Sequence, residues 1–214
     1  MTEDLNWTST TRENQGLVAH EKPFREWILK NLQLKGIFLD VGAALGVYSM
    51  VLAPHFSQVY AVEPNPTNAA LMRENILLNG LKNITVIEKA AWDVSGKKLF
   101  INQELGTANT QSGASTFEEQ SSPGWIAVES LRLDDLNLAP NFVKMDVEGA
   151  GLFVLQGLEE TIKKHHPTIF LELHMGAVAE RGESRIPDLL RERGYAPIQN
   201  FSGRNDFGGN SIWA

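Results

Sequence analysis

Apolar positions along the chain take two alternating forms. Short continuous runs, Ile37–Val41, Val59–Val62, "ITVIEKAAW", "NFVKMDV" and "TIFLELH", read as buried strands. Between them lie stretches with helical spacing. Glu21–Leu34 carries Phe24, Trp27, Ile28 and Leu32 on one face. A stretch from Ala44 carries Leu45, Val47, Tyr48, Val51 and Leu52 and stops at Pro54. A third helix opens at Asn65-Pro66 and ends at Asn79-Gly80, with Leu71, Asn75 and Leu78 as its core stripe. Two more are predicted over Gly149–Lys164 and Ser184–Arg193. "KKLFI" is a strand outside the alternation, and short strands near Pro197–Asn200 and Ser211–Trp213 finish the chain. Alternating strands and helices predict an α/β fold, a mostly parallel sheet with helices on both faces. Residues 1–16 read as a flexible arm and 17–214 as one domain. The Ser-, Thr-, Gly-, Asn- and Gln-rich segment 103–124 reads as an inserted loop folding over a site.

The stretch "FLDVGAALGVYS" sets an acid and a glycine turn between two apolar runs. From Gly36 to Ala53 the sequence is almost long enough to cross a membrane. An Asp near the centre of such a span costs roughly 2.5–3.5 kcal/mol, and Gly42 and Gly46 interrupt the pattern. Strand, glycine turn and helix fit better, and this is how open α/β sheets begin a nucleotide-type site.

Composition narrows the partners. With 214 residues, 43% of them hydrophobic, the chain is large enough for a substantial core. A formal net charge of −7 disfavours a phosphate backbone as partner. The absence of cysteine excludes disulfides, thiolate metal sites and a Cys nucleophile. The polar, acidic start "MTEDLNWTSTTRENQG" lacks an apolar signal segment, so the expected location is cytoplasmic, with no membrane attachment.

The turn Gly42-Ala43-Ala44-Leu45-Gly46 lacks the middle glycine that lets a dinucleotide pyrophosphate approach, and Asp40 beside it would repel phosphate. Acid and glycine together suit a cationic nucleoside such as S-adenosylmethionine. Glu63, at the end of the next strand, is placed to accept both ribose hydroxyls.

"FLDVGAALGVYSMVLA", "VYAVEPNPTNAALMRENILLNGLKNITVIEKAAWD" and "NFVKMDVEGAGLFVLQGLEETIKKHHPTIFLELH" resemble the FkbM family of S-adenosylmethionine-dependent methyltransferases, over roughly Leu17 to His174. The resemblance implies a class I, Rossmann-like methyltransferase fold, a seven-stranded sheet with its last strand antiparallel. It also implies that Asp40, Gly42, Ala43, Ala44 and Gly46 form the cofactor turn, that Glu63 and Pro64 hold the ribose, and that Ala90 and Ala91 border the adenine. The chain departs from the family pattern twice: Ala44 stands where Asn is frequent, and Gly151 where an acid is usual.

Asp146, Glu148, Glu172 and His174 fall at or just beyond the ends of two later strands, on the carboxyl edge where such sheets bind ligands. They are the candidate catalytic groups. Methyl transfer to an alcohol requires loss of the hydroxyl proton, to a base or with the help of a metal. The expectation is a carboxylate or His174 as base with no obligatory metal, and ligation of a divalent ion as the alternative. Without a cysteine or an Asn-Pro-Pro-Tyr segment, O-methylation of a small molecule, sugar or glycan is favoured. An RNA ribose 2′-O-methyltransferase using Asp146, Glu172 and a lysine such as Lys22 or Lys144 is the runner-up. A non-catalytic module that keeps the cofactor fold is a third reading, and a dehydrogenase a fourth.

Overall fold

The computed structural model describes residues 5–8, 21–102, 117–118, 124–147, 149–173, 182–201 and 209–214. Its strands are β1 (Ile37–Val41), β2 (Gln58–Val62), β3 (Ile84–Ile87), β4 (Ala90–Trp92), β5 (Lys98–Asn102), β6 (Phe117–Glu118), β7 (Trp125–Arg132), β8 (Pro140–Met145), β9 (Thr168–Leu173), β10 (Pro197–Asn200) and β11 (Gly209–Trp213). The helices are α1 (Lys22–Asn31), α2 (Val47–Leu52), α3 (Pro66–Leu78), α4 (Gly151–Gly157), α5 (Glu159–His165) and α6 (Ile186–Glu192).

A seven-stranded sheet runs β10-β11-β9-β8-β1-β2-β3. β1 pairs in parallel with both β2 and β8, β8 pairs in parallel with β9, and β11 runs antiparallel to β9 and β10. After β1 the chain builds outward to β2 and β3, then returns to start the other half at β8. The strand order therefore reverses between β1 and β8, and the crevice beyond their carboxyl ends is the expected ligand position.

The period-2 alternation of these strands divides the core. Leu39, Val41, Val143, Met145, Ile169, Leu171 and Trp213 face Val154, Leu155, Ile162, Ile186 and Leu190 from α4–α6. Phe38, Phe142, Phe170 and Ile212 form an aromatic-rich layer on the other face, packed on Tyr48, Val51, Leu52 and Ile28. Asp40, Lys144 and Phe170 are register partners across β1, β8 and β9. Two charges thus stand side by side on the aromatic face.

Several elements differ from the sequence expectation. "ITVIEKAAW" is two strands: the Lys89 N–H donates to Ile87 C=O in a turn, and the chain leaves the main sheet for a four-stranded one, β4-β7-β5-β6. β7 is a strand that periodicity did not predict, because its apolar positions do not alternate cleanly. The helix expected over 149–164 is broken after Gly157. A Cβ there would sit 2.0 Å from the Trp92 carbonyl oxygen, so α4 ends against β4. α5 restarts with the Glu160 and Thr161 N–H groups donating to the Asp134 carboxylate at 3.1 and 2.9 Å. Leu78, expected in a core stripe, is 53% exposed, whereas Asn75 is fully buried and accepts from Thr8 N–H at 2.9 Å. Residues 5–8, in the segment read as an arm, are fastened to α3 by this bond and by the Asn6–Asn79 pair. Of the insertion, only Phe117, Glu118 and Gly124 are among the described residues. No helix among the described residues is long and apolar enough to cross a membrane.

Candidate active site

The turn between β1 and α2 is built on left-handed backbone at Gly42 (φ +77°), Ala44 (φ +48°) and Gly46 (φ +80°). Gly42 has no alternative: a Cβ there would lie 1.8 Å from the Asp146 carbonyl oxygen. Gly42 and Ala43 N–H both donate to Val62 C=O, and Gly46 and Ala43 close on Met72 of α3. Glu63, at the end of β2, ties the turn down. Its Oε2 accepts from Ala44 N–H at 2.9 Å and its Oε1 from Asn65 N–H at 2.8 Å. Asn65 in turn caps α3 through Thr67 N–H. Burial pushes the Glu63 carboxyl up to about 7, against the lowering effect of the Asn65 and Ala44 N–H groups. Pro64 is half-buried beside it, and Ala90 and Ala91 are buried in the cluster that holds Val41 and Val62.

Asp40 sits below this turn rather than on it. Fully buried, it accepts from Ser49 Oγ at 2.6 Å and lies 4.0 Å from Lys144 Nζ. The sequence reading set Asp40 against a cationic ligand; its cation in the structure is Lys144. Burial raises the Asp40 carboxyl, and Lys144 and Ser49 oppose that. The solvent side of the turn is left to the exposed Ala44. With no basic residue on the turn and a carboxylate at the β2 end, the arrangement fits a nucleoside with a free ribose and not a pyrophosphate.

The acidic edge begins where this turn ends. Lys144 Nζ lies 3.1 Å from Asp146 Oδ2 and 4.9 Å over the Tyr48 ring, and Arg25 also stacks on that ring. Burial alone would pull the Lys144 ammonium down, but Asp146, Asp40, Glu21 and Glu172 around it hold its pKa above the ordinary lysine value. Carboxylate oxygens of Glu21, Asp146 and Glu172 lie within 4.8 Å of one another. Asp146 and Glu172 are thus brought together as the strand ends implied. Glu148 and His174 lie outside the described residues. Glu21, Arg25, Tyr48 and Lys144 are site residues that sequence reasoning did not assign to this edge, Lys144 having appeared only in the runner-up. Only the "KMD" spacing, which puts Lys144 on the face of Asp146, was a local signal for any of them.

Strand order, antiparallel β11 and a glycine turn at the switch point define a class I S-adenosylmethionine-dependent methyltransferase domain. The model of the methyltransferase FkbM domain matches residues 40–197, and the chain belongs to that family. A methyltransferase FkbM from Methylobacillus flagellatus superposes with a TM-score of 0.57 at 18% identity, over 86% of this chain and 44% of that one. An rRNA methylase from Streptococcus thermophilus superposes with a TM-score of 0.51 at 10% identity, over 89% of this chain and 92% of that one. A probable cobalt-precorrin-6B C(15)-methyltransferase (decarboxylating) of Sulfolobus acidocaldarius is 38% identical over 74 residues, 33% of this chain and 37% of that protein. Matches to the curated relatives span 25, 22 and 37% of their lengths.

Proposed function

We propose that this domain transfers a methyl group from S-adenosylmethionine to a hydroxyl of a small molecule, sugar or glycan. The observation that carries the reading is contact between the two halves of the site: the glycine turn packs directly on the Asp146 backbone, so the acidic edge adjoins the cofactor position. Gly42, Ala43, Ala44 and Gly46 shape the turn, and Glu63 with Pro64 holds the ribose. When bound, the cofactor supplies an electrophilic methyl on a sulfonium. The acidic edge would hold an acceptor hydroxyl against that methyl and take up the proton released as the oxygen gains the methyl and the S–C bond breaks. Asp146, Glu172, Glu148 and His174 are the groups assigned to orient the hydroxyl and take that proton.

One structural neighbour is named an rRNA methylase, and one curated relative a tRNA/tmRNA (uracil-C(5))-methyltransferase. For this chain, the overall charge of −7 and three converging carboxylates at the acceptor side oppose a phosphate backbone. Labelled S-adenosylmethionine, offered with a panel of sugar and small-molecule alcohols and in parallel with RNA, tests the reading. Methyl incorporation into an alcohol is expected. A general base contributes about 10²–10⁴-fold, so Glu172→Gln is expected to lower turnover into that range while cofactor affinity is retained. Methylation of RNA but of none of the alcohols would contradict the reading.

A further inference from the structure

We propose that Glu21, Asp146 and Glu172 form a binding site for a hard divalent cation such as Mg²⁺ or Mn²⁺, at the acceptor side of the cofactor turn. The three carboxylates come from separate places, the residue before α1 and the ends of β8 and β9, yet one oxygen of each lies within 4.8 Å of the others. Oxygens bound to one ion at about 2.0–2.6 Å stand no more than about 5 Å apart, so the spacing is that of a shared coordination sphere.

A second, independent observation comes from the neighbouring strand. Asn210 on β11 is the register partner of Glu172 on β9. Directly opposed residues of an antiparallel pair project from the same face of the sheet, so Asn210 stands beside Glu172. Asn210 is 8% exposed, and among the described residues nothing donates to its Oδ1. Buried carbonyl oxygens without a donor are rare and costly, and a cation satisfies one as well as a donor does. The donor set is then oxygen only, three carboxylates and an amide carbonyl, which suits Mg²⁺, Mn²⁺ or Ca²⁺ rather than a soft metal.

Charge points the same way. Among the described residues, the carboxylates of Glu21, Asp40, Asp146 and Glu172 gather at this corner around Lys144 and Arg25. Lys144 and Arg25 pair with Asp146 and Glu21 respectively, and each carboxylate has two oxygens, so an ion pair does not preclude ligation through the other oxygen. The role of the ion rests on the methyl-acceptor reading: bound there, it would acidify a coordinated acceptor hydroxyl and ease loss of its proton to the groups of the acidic edge. The sequence reading expected no obligatory metal and kept ligation of a divalent ion as its alternative, and the proposal takes that alternative.

Manganese alone is the probe. The full chain, freed of metals with a chelator and then of the chelator, is titrated with Mn²⁺ without cofactor or acceptor, and free Mn²⁺ is read by electron paramagnetic resonance. One saturable site per chain is expected, competed by Mg²⁺. Loss of an indirect partner already weakens metal sites by about 10–100-fold, so Glu21→Gln and Glu172→Gln are each expected to weaken binding at least about tenfold. Two variants on different elements guard against one failing to fold, and circular dichroism of each checks this. Absence of saturable binding in the wild type, or binding unchanged by both substitutions, overturns the proposal. S-adenosylmethionine titrated into the same samples shows separately whether the methyltransferase reading stands.

Discussion

Glu63 ties the glycine turn to the start of α3 by accepting from Ala44 and Asn65 N–H while nearly buried, and this makes its charge a measurable quantity. Its carboxyl lies at about 7 in the folded chain and near 4.5 otherwise. The folded state therefore holds an extra proton between these values. The stability this contributes is fully present below about 4.5 and is lost as pH rises through about 7, on the order of 3 kcal/mol in all. Glu63→Gln removes that slope, so the stabilities of wild type and variant from pH 4 to 8 are expected to differ least in acid, to move apart between about 4.5 and 7, and to keep a constant difference above that. Parallel curves would show that Glu63 does not titrate there. Gly42 gives a steric prediction. In Gly42→Ala, strain at positive φ adds to a collision with the Asp146 carbonyl, and a loss of about 2–5 kcal/mol is expected by urea denaturation. A loss below about 1 kcal/mol would mean that the turn does not pack on β8 as described. Gly42, Gly46 and Glu63 were legible in the sequence because local spacing places them, a glycine turn after one strand and an acid at the end of the next. Glu21 was not. It lies in a polar stretch before α1, and only the packing of that helix on the aromatic face brings it to Asp146.

At the scale of elements, the departure at Gly151 finds a physical reason. A Cβ there would meet Glu183 Oε1 at 2.9 Å and Ile186 Cδ1 at 2.7 Å. Glu183, 3% exposed and just ahead of α6, accepts from Gly151 N–H at 2.6 Å. A carboxylate from another element thus fills the space where the family pattern suggests one at 151. It also satisfies an N–H at the start of α4 that has no partner within the helix. Glu183→Ala leaves that buried donor unpaired, and a loss of about 1–3 kcal/mol is expected in chemical denaturation. Glu183→Gln, which keeps an acceptor, is expected to lose less. Equal stability of all three proteins would remove Glu183 from this role. None of this was readable beforehand, because the capping contact joins residues far apart in sequence. The same holds for the break after Gly157, where the Trp92 carbonyl, not any local signal, ends the helix. Strand β7 was missed for a different reason: its pairing with β4 and β5 substitutes for the alternation that a sequence reading requires.

Across the whole molecule, the architecture was the most legible part. Continuous apolar runs between helical stripes predict a parallel sheet covered on both faces, and the strand order β3-β2-β1-β8-β9-β11-β10 realises it. The antiparallel last strand came from the family resemblance, since no run in the sequence states its direction. The net charge of the acidic edge was hidden as well, because it is a sum over α1, β1, β8 and β9. Above all, we propose a cofactor site at the switch point between β1 and β8, with Glu63 as its anchor. Titrating S-adenosylmethionine into the chain by calorimetry tests this most directly. The account predicts saturable binding by the wild type, weakened at least tenfold in Glu63→Ala, a loss of roughly 1.4 kcal/mol or more. No binding of S-adenosylmethionine alongside clear binding of NADH, or an affinity unchanged by the substitution, would contradict it.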